Sequence, residues 1–105
     1  MITTEDIIRF NREFGGHLVR DSSLAFAESV CKTSRSKNKC MATWIRAIIV
    51  DHPFTDGNKR TAMAVIDDFK GLKNEVRVAR ALVRIARENV ADLEKIEEMI
   101  SNANR

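Results

Sequence analysis

The sequence predicts an all-α fold. In six stretches the apolar residues recur at the spacing of an amphipathic helix, and no stretch has a convincing strand pattern outside a candidate hairpin near residues 32–37. The hydrophobic content of 44% and the charged content of 31% are ordinary for a folded soluble protein. Because the chain has 105 residues and no internal repeat or long linker, we expect one domain over residues 1–105 with a single core.

Three helices are predicted in the first half of the chain. The first covers about residues 4–14 and ends at Gly15, which suits the left-handed position beyond a helix C-terminus. The second follows Asp21, a good N-cap residue. The third, at about 38–50, is apolar over more than one stripe and should be the most buried element. The predicted core residues are Ile7, Phe10 and Phe14, then Leu24, Ala27 and Cys31, then Met41, Trp44, Ile45, Ile48 and Ile49.

Three more helices are predicted after a loop at 52–57. This loop contains the only proline, Pro53, and it ends at the Gly57-Asn58 turn, so the preceding helix cannot continue through it. Asn58 is the predicted N-cap of the fourth helix, and Gly71 is its predicted C-cap. Helices at about 75–88 and 91–102 follow. Their predicted core residues, with those of the fourth helix, are Ala62, Ile66 and Phe69, then Val78, Leu82 and Ile85, then Leu93, Ile96 and Ile100.

The loop and the start of the fourth helix carry the candidate chemistry. His52 is a candidate general base, since histidine commonly takes that role toward a hydroxyl at neutral pH. Lys59 and Arg60 in the first helical turn oppose the helix dipole, which makes sense if a phosphate chain binds there. Asp56, beside phosphates, would be a natural ligand for Mg²⁺. This combination of groups is typical of phosphoryl or nucleotidyl transfer.

Each of these residues also has a purely structural interpretation. His52 could cap the preceding helix, and Asp56 could form an Asx-turn within the loop. Phe54 is the one member for which we prefer the structural role, as an apolar anchor that packs into the core and orients its neighbours. The complete run of residues favours a functional site over a set of unrelated structural roles.

The run that carries a family resemblance is His52-Pro53-Phe54-Thr55-Asp56-Gly57-Asn58-Lys59-Arg60. It resembles the Fic/Doc signature H-x-F-x-(D/E)-(G/A)-N-(G/K)-R, and the earlier Phe14-Gly15-Gly16 and Val19-Arg20-Asp21 resemble the family's G-G-x-x-x-R-D segment. The resemblance implies a compact helical bundle around a central helix-loop-helix, with ATP and Mg²⁺ as cofactors. By the same resemblance the catalytic base is His52, the metal ligand is Asp56, and the residues that bind the ATP phosphates are Gly57, Asn58, Lys59 and Arg60.

Two positions bear on the transferred group. Lys59 stands where AMP-transferring members usually have a second glycine, and Met63 stands where they carry a second arginine. Both point to a Doc-like toxin, which transfers the γ-phosphate of ATP to a hydroxyl of a translation factor. Gly57 is the Fic-like choice, because Doc itself has alanine there. Transfer of AMP to a protein hydroxyl is therefore the alternative, and a silent module that binds nucleic acid or protein is the alternative of another class.

Two further segments are candidates for partner binding. The polar residues before the third helix form either a solvated loop or the family's target-binding flap, and they are Lys32, Thr33, Ser34, Arg35, Ser36 and Lys37. The chain lacks the inhibitory helix pattern (S/T)-x-x-x-E-(G/N), so we expect a separate inhibitor, as the Phd antitoxin is for Doc. The site groove or a stripe of arginines at 77, 80, 84 and 87 could receive it. Without interleaved aromatic residues, this stripe favours a solvated face, offset by the acidic last helix, over nucleic-acid binding.

The remaining expectations concern cysteines and location. Cys31 and Cys40 are too few for a disulfide scaffold and are predicted to be buried thiols, and a metal site that combines them with His17 and His52 is disfavoured by their spacing. No apolar run approaches the roughly 20 residues of a membrane span. The acidic start of the sequence has no signal-peptide core, so we expect a cytoplasmic protein with no membrane partner.

Overall fold

The computed structural model describes all 105 residues, and its regular structure consists of six α-helices. They are α1 (Thr4–Glu13), α2 (Ser22–Thr33), α3 (Lys37–Ile49), α4 (Asn58–Lys70), α5 (Glu75–Arg87) and α6 (Leu93–Ala103). The prediction of an all-α bundle is confirmed. No flap hairpin forms, and the only β-bridge joins Leu18 to Phe54.

Helix α3 is the centre of the bundle, as its apolar content predicted. It packs against α2, α4, α5 and α6, and nine of its residues are buried. Helix α1 lies against α4 and α2, so α1 borders the same helix that carries the motif. Most of the predicted core residues are buried, whereas Phe10, Phe14, Phe69 and Leu93 are only partly buried at the edge of the core.

The start of α4 differs from the prediction. Gly57, not Asn58, occupies the N-cap position, and it does so in the left-handed region with φ 73°. Asn58 is already the first helical residue, so its side chain is free to turn back toward the loop. The left-handed conformation decides this boundary, because glycine adopts it at little cost and asparagine less readily.

The two cysteines also differ from the prediction, since Cys31 and Cys40 form a disulfide and leave no free thiol. Helix α2 ends at Thr33 and α3 begins at Lys37, so the short connection folds the two helices side by side. The Cα atoms of Cys31 and Cys40 are 5.0 Å apart, within the usual range for a disulfide. The bond ties the end of α2 to the first turn of α3. None of the six helices has the length and apolar content of a membrane span.

Candidate active site

The loop before α4 is held by a strand-like segment that precedes α2. The backbone N–H of Val19 donates to the Pro53 carbonyl at 2.7 Å, and the N–H of Thr55 donates to the His17 carbonyl at 2.9 Å. The Thr55 hydroxyl in turn accepts from the His17 N–H at 3.0 Å. The residues that follow Gly15-Gly16 therefore hold the motif loop by hydrogen bonds to its residues. His17 contributes only main-chain atoms to these bonds.

Phe54 and Asn58 stabilise the motif loop by core packing and by hydrogen bonds between them. The Phe54 side chain is 3% exposed and belongs to the core. Its backbone N–H donates to Asn58 Oδ1 at 3.2 Å, and Asn58 Nδ2 donates to its carbonyl at 2.9 Å. The side-chain amide of Asn58, which was predicted to cap α4, makes these two bonds to Phe54 instead. Asn58 thus fixes the loop from Phe54 to the first turn of α4.

Asp56 and Gly57 immediately precede the first residue of α4, and we call this N-terminal end of the helix its mouth. The N–H of Gly57 donates to Asp56 Oδ1 at 2.8 Å, and the Asp56 side chain is exposed. A Cβ on Gly57 would lie 3.0 Å from Phe14 Cβ and 3.1 Å from Asn11 Nδ2, so space as well as conformation favours glycine there. No side chain caps α4 or α2, whereas α1, α3, α5 and α6 each begin with a side-chain cap. The first-turn N–H groups of α4 therefore have no side-chain acceptor at the N-cap position.

His52 stands beside this helix start at a surface cavity of about 390 Å³. Its backbone is in the left-handed region with φ 49°, and its side chain is exposed. The cavity lies between α4 and α5, and it combines polar and apolar walls. The lining residues are Ile49, His52, Asn58, Lys59, Leu82, Val83, Ala86 and Arg87. Neither cation of the cavity, Lys59 or Arg87, forms an ion pair within the chain.

The other predicted phosphate-binding cation, Arg60, does not line this cavity. It borders a separate groove of about 420 Å³ together with Met63, Asp67 and Glu75. Adjacent residues point about 100° apart around a helix axis, so Lys59 and Arg60 diverge. Asp56 also lies outside the lining of the His52 cavity. The structure thus groups His52, Asn58 and Lys59 around one cavity and places Arg60 beside another.

Arg87 is a candidate site residue that the sequence did not single out. Its spacing places it in the arginine stripe of α5, a pattern typical of a solvated face. The packing of α5 against α4 brings the end of this stripe to the His52 cavity. The stripe itself was evidence for exposed cations, but only the three-dimensional contact assigns Arg87 to the cavity.

The predicted flap lies away from the motif. Lys32 and Thr33 belong to α2 and Lys37 begins α3, so only residues 34–36 form a loop. This segment lines a cavity of about 370 Å³ with Asp68 and Phe69, near the C-terminal end of α4. At a rise of 1.5 Å per residue, that end is about 15 Å along the helix from Asn58. The tight α2–α3 connection therefore places the segment far from His52, and a hairpin beside the target is not formed.

Comparison with protein-family profiles agrees with the signature. A sequence profile described as Fic/DOC family matches residues 21–69. The match takes in α2, α3, the motif loop and nearly all of α4, so it includes the complete signature. Residues 21–69 are similar to the Fic/DOC family, whose members typically transfer AMP or phosphate. Comparison with curated proteins and with solved structures gives no match.

Proposed function

We propose that this chain is an ATP- and Mg²⁺-dependent transferase that modifies a hydroxyl side chain of a protein. The observation that carries the proposal is the position of His52, exposed at a cavity beside the uncapped start of α4. Two cations without ion-pair partners line the same cavity. A base toward the hydroxyl and a phosphate cradle are the two requirements of such a transfer.

Each group has a defined role in this proposal. His52 accepts the proton of the target hydroxyl, which makes the oxygen nucleophilic. Lys59 and Arg87 bind phosphate oxygens of ATP, and the first-turn N–H groups of α4 add donors. The apolar wall from α5, formed by Leu82, Val83 and Ala86, excludes water from one side. Arg60 borders the separate groove with Met63 and Glu75, so this proposal gives it no phosphate contact in the His52 cavity.

The residues present fit Mg²⁺ only when phosphate oxygens complete its shell. No cluster of three or more metal-ligating side chains exists in the chain, and Asp56 supplies one exposed carboxylate at the mouth of α4. Mg²⁺ commonly takes one or two protein carboxylates and shares substrate phosphates, so a single aspartate is compatible with it. The ion would neutralise negative charge on the phosphates.

We favour transfer of the γ-phosphate, as in Doc-like toxins, over transfer of AMP. Lys59 lines the cavity where AMP-transferring members usually have glycine, and Met63 leaves the neighbouring groove without a second arginine. A translation factor is the target class that this subtype suggests, and a cytoplasmic location is part of the proposal. Gly57 is the residue that keeps AMP transfer as the second candidate.

Incubation with ATP labelled separately at the α and γ positions tests the proposal. Candidate targets come from a lysate that supports translation. Label from the γ position on protein supports phosphorylation, label from the α position supports AMP transfer, and no label supports the silent interaction module.

His52→Ala should abolish labelling with the fold intact, because the side chain is exposed. His17→Ala is the matched control, since His17 is the other histidine and uses only its backbone. Labelling by His52→Ala at the wild-type rate would refute the mechanism.

A variant pair on α5 tests the cavity itself. Arg87→Ala should raise the ATP concentration needed for half-maximal labelling, because Arg87 lines the cavity. Arg80→Ala on the same helix is the control, since Arg80 lies in a groove between α5 and α6 instead. Equal effects of the two substitutions would point to general surface charge and would remove Arg87 from the site.

We also propose that a separate acidic polypeptide inhibits the chain. No acidic residue of α6 forms an ion pair with the arginine stripe, whose one ion pair joins Arg84 to Glu88. The stripe therefore keeps most of its charge available to a partner. Titration of a co-encoded acidic peptide against labelling tests this, and labelling that is insensitive to the peptide would contradict it. We do not propose nucleic acid as a partner of the stripe.

A further inference from the structure

Asn11 of α1 connects two separate points of the motif region. Its side chain is buried, with 1% exposed, which is uncommon for asparagine. Its Nδ2 donates to the Asp56 carbonyl at 2.8 Å and to Thr61 Oγ1 at 3.1 Å. The Thr61 hydroxyl in turn donates to the Gly57 carbonyl at 2.8 Å. Asn11 and Thr61 therefore hold the carbonyls of two consecutive residues at the mouth of α4.

The neighbouring glycines leave room for this amide. A Cβ on Gly16 would overlap Asn11 Oδ1 and the Asp56 carbonyl oxygen, and a Cβ on Gly57 would lie 3.1 Å from Asn11 Nδ2. Gly16 is buried and, unlike Gly15 and Gly57, has no positive φ. Space rather than backbone conformation thus explains the second glycine of the Gly15-Gly16 pair.

The bonds from Asn11 reach the Asp56 carboxylate through the backbone. In a trans peptide the C=O and the following N–H point in opposite directions, so a fixed carbonyl fixes the N–H of the next residue. The Asp56 carbonyl is held by Asn11, and the Gly57 N–H across that peptide donates to Asp56 Oδ1. By the same rule, the held Gly57 carbonyl fixes the direction of the Asn58 N–H at the first turn of α4.

We propose that Asn11 is a positioning residue of the candidate site, which sets the orientation of the Asp56 carboxylate and of the first N–H groups of α4. It touches no substrate, and its catalytic consequence rests on the proposed function. A purely structural role would be to dock α1 on α4, which contact each other. The two roles predict different effects for a substitution that keeps the shape of the Asn11 side chain and removes its hydrogen-bond donor, Nδ2.

Asn11→Asp makes that change, because the introduced carboxyl has nearly the same shape. When ionised, it places an acceptor against the two oxygens that Asn11 now donates to.

Asn104→Asp is the matched control. Asn104 is also a buried asparagine, with 5% exposed, and its Nδ2 donates to the Gly71 carbonyl at 2.9 Å. It holds the loop at the other end of α4, far from His52. Both substitutions remove one buried amide donor from a backbone carbonyl, so both should lower the thermal unfolding midpoint. Only one of them acts on the motif loop.

Two measurements test the proposal. Amide NMR spectra of the protein without nucleotide should show displaced Gly57 and Asn58 resonances in Asn11→Asp and unchanged ones in Asn104→Asp. In the labelling assay, Asn11→Asp should raise the Mg²⁺ concentration for half-maximal activity roughly 10–100-fold, as loss of an outer hydrogen bond to a metal ligand commonly does. Asn104→Asp should leave it at the wild-type value. Folded Asn11→Asp with wild-type resonances, or equal displacement in both variants, would overturn the proposal.

A second pair of variants applies if Asn11→Asp does not fold. Thr61→Val removes the hydroxyl that links Asn11 to the Gly57 carbonyl, and Thr61→Ser retains it. Thr61→Val should displace the Asn58 resonance and Thr61→Ser should restore it, and no difference between the two would also overturn the proposal. If the wild-type chain transfers no label to protein, the proposed function fails, while the NMR comparison still decides the positioning role.

Discussion

Removal of the Cys31–Cys40 disulfide should lower the stability of the chain without altering its site. The bond has a sequence separation of 9. A cross-link that closes a loop of this size reduces the entropy of the unfolded chain by about 9 cal/mol/K, which corresponds to about 2.6 kcal/mol at 25 °C. With a urea dependence of roughly 1–3 kcal/mol per M for a small domain, the unfolding midpoint should fall by roughly 1–2.5 M.

The double variant Cys31→Ala, Cys40→Ala is suited to this test, because both positions are nearly buried and serine would add hydroxyls there. Urea unfolding is followed by circular dichroism for the variant and for wild type, each with and without a reducing agent. The reducing agent should shift wild type toward the variant and leave the variant unchanged. Thiol titration of unfolded, non-reduced wild type should find no free thiol.

The same variant separates stability from function. The disulfide lies beside the C-terminal end of α4, in the cavity that Asp68 and Phe69 also line. Well below its unfolding midpoint the variant should therefore label protein as wild type does. A midpoint equal to that of oxidised wild type would refute the reasoning about the cross-link, and two free thiols in the non-reduced protein would refute the bond itself. Disulfides are rare in the cytoplasm, so the thiol titration also bears on the proposed location.

Two other substitutions test the packing around the motif, and a third tests a carboxylate at the start of α1. Gly16→Ala should destabilise by about 1–3 kcal/mol because its Cβ has no space, and Gly15→Ala, with open space and φ 80°, should show only the smaller left-handed cost in the same urea titration. Phe54→Ala should cost about 3–5 kcal/mol, whereas Phe26→Ala, 55% exposed, should change the urea midpoint little. A backbone N–H at the N-cap of α1 lowers the pKa of Asp6, so its stabilisation is complete above the unfolded value near pH 4 and is lost as the pH falls through the lower folded pKa. The thermal midpoint of Asp6→Asn should therefore fall less than that of wild type on acidification from about pH 5 to 2, and parallel decreases would contradict this.

The helices were predictable because local signals agreed with one another. Apolar spacing placed the inward faces, and Gly15 and Gly71 ended α1 and α4 in left-handed or otherwise non-helical backbone as expected. The start of α4 was misplaced because the side chain of Asn58 can either cap a helix or bind the loop. Nothing local distinguishes these choices. The left-handed conformation of Gly57 and the buried Phe54 decided between them.

The site was predictable only where it is contiguous in sequence. One short run contains His52, Asn58 and Lys59, so their position around one cavity follows from the loop and one helical turn. Arg87 and Asn11 come from α5 and α1, and the bond from Asn11 to Asp56 spans 45 residues. Such contacts depend on how the helices pack. The disulfide was missed for a similar reason, since two cysteines in a chain carry no signal until α2 and α3 are known to lie side by side.

Departures from local preference converge on the cavity between α4 and α5. His52 has φ 49°, in the left-handed region that few non-glycine residues adopt, although histidine and asparagine do so more often than most. Lys59 lies in a helix start that favours anions, and Arg87 reaches the same cavity without an ion-pair partner. The other non-glycine residue with positive φ is Asn89, which follows α5. Unpaired like charge at one place is a cost for folding alone, and a bound polyanion beside an exposed imidazole would offset that charge. This convergence is the reason that we prefer an active transferase to a silent scaffold.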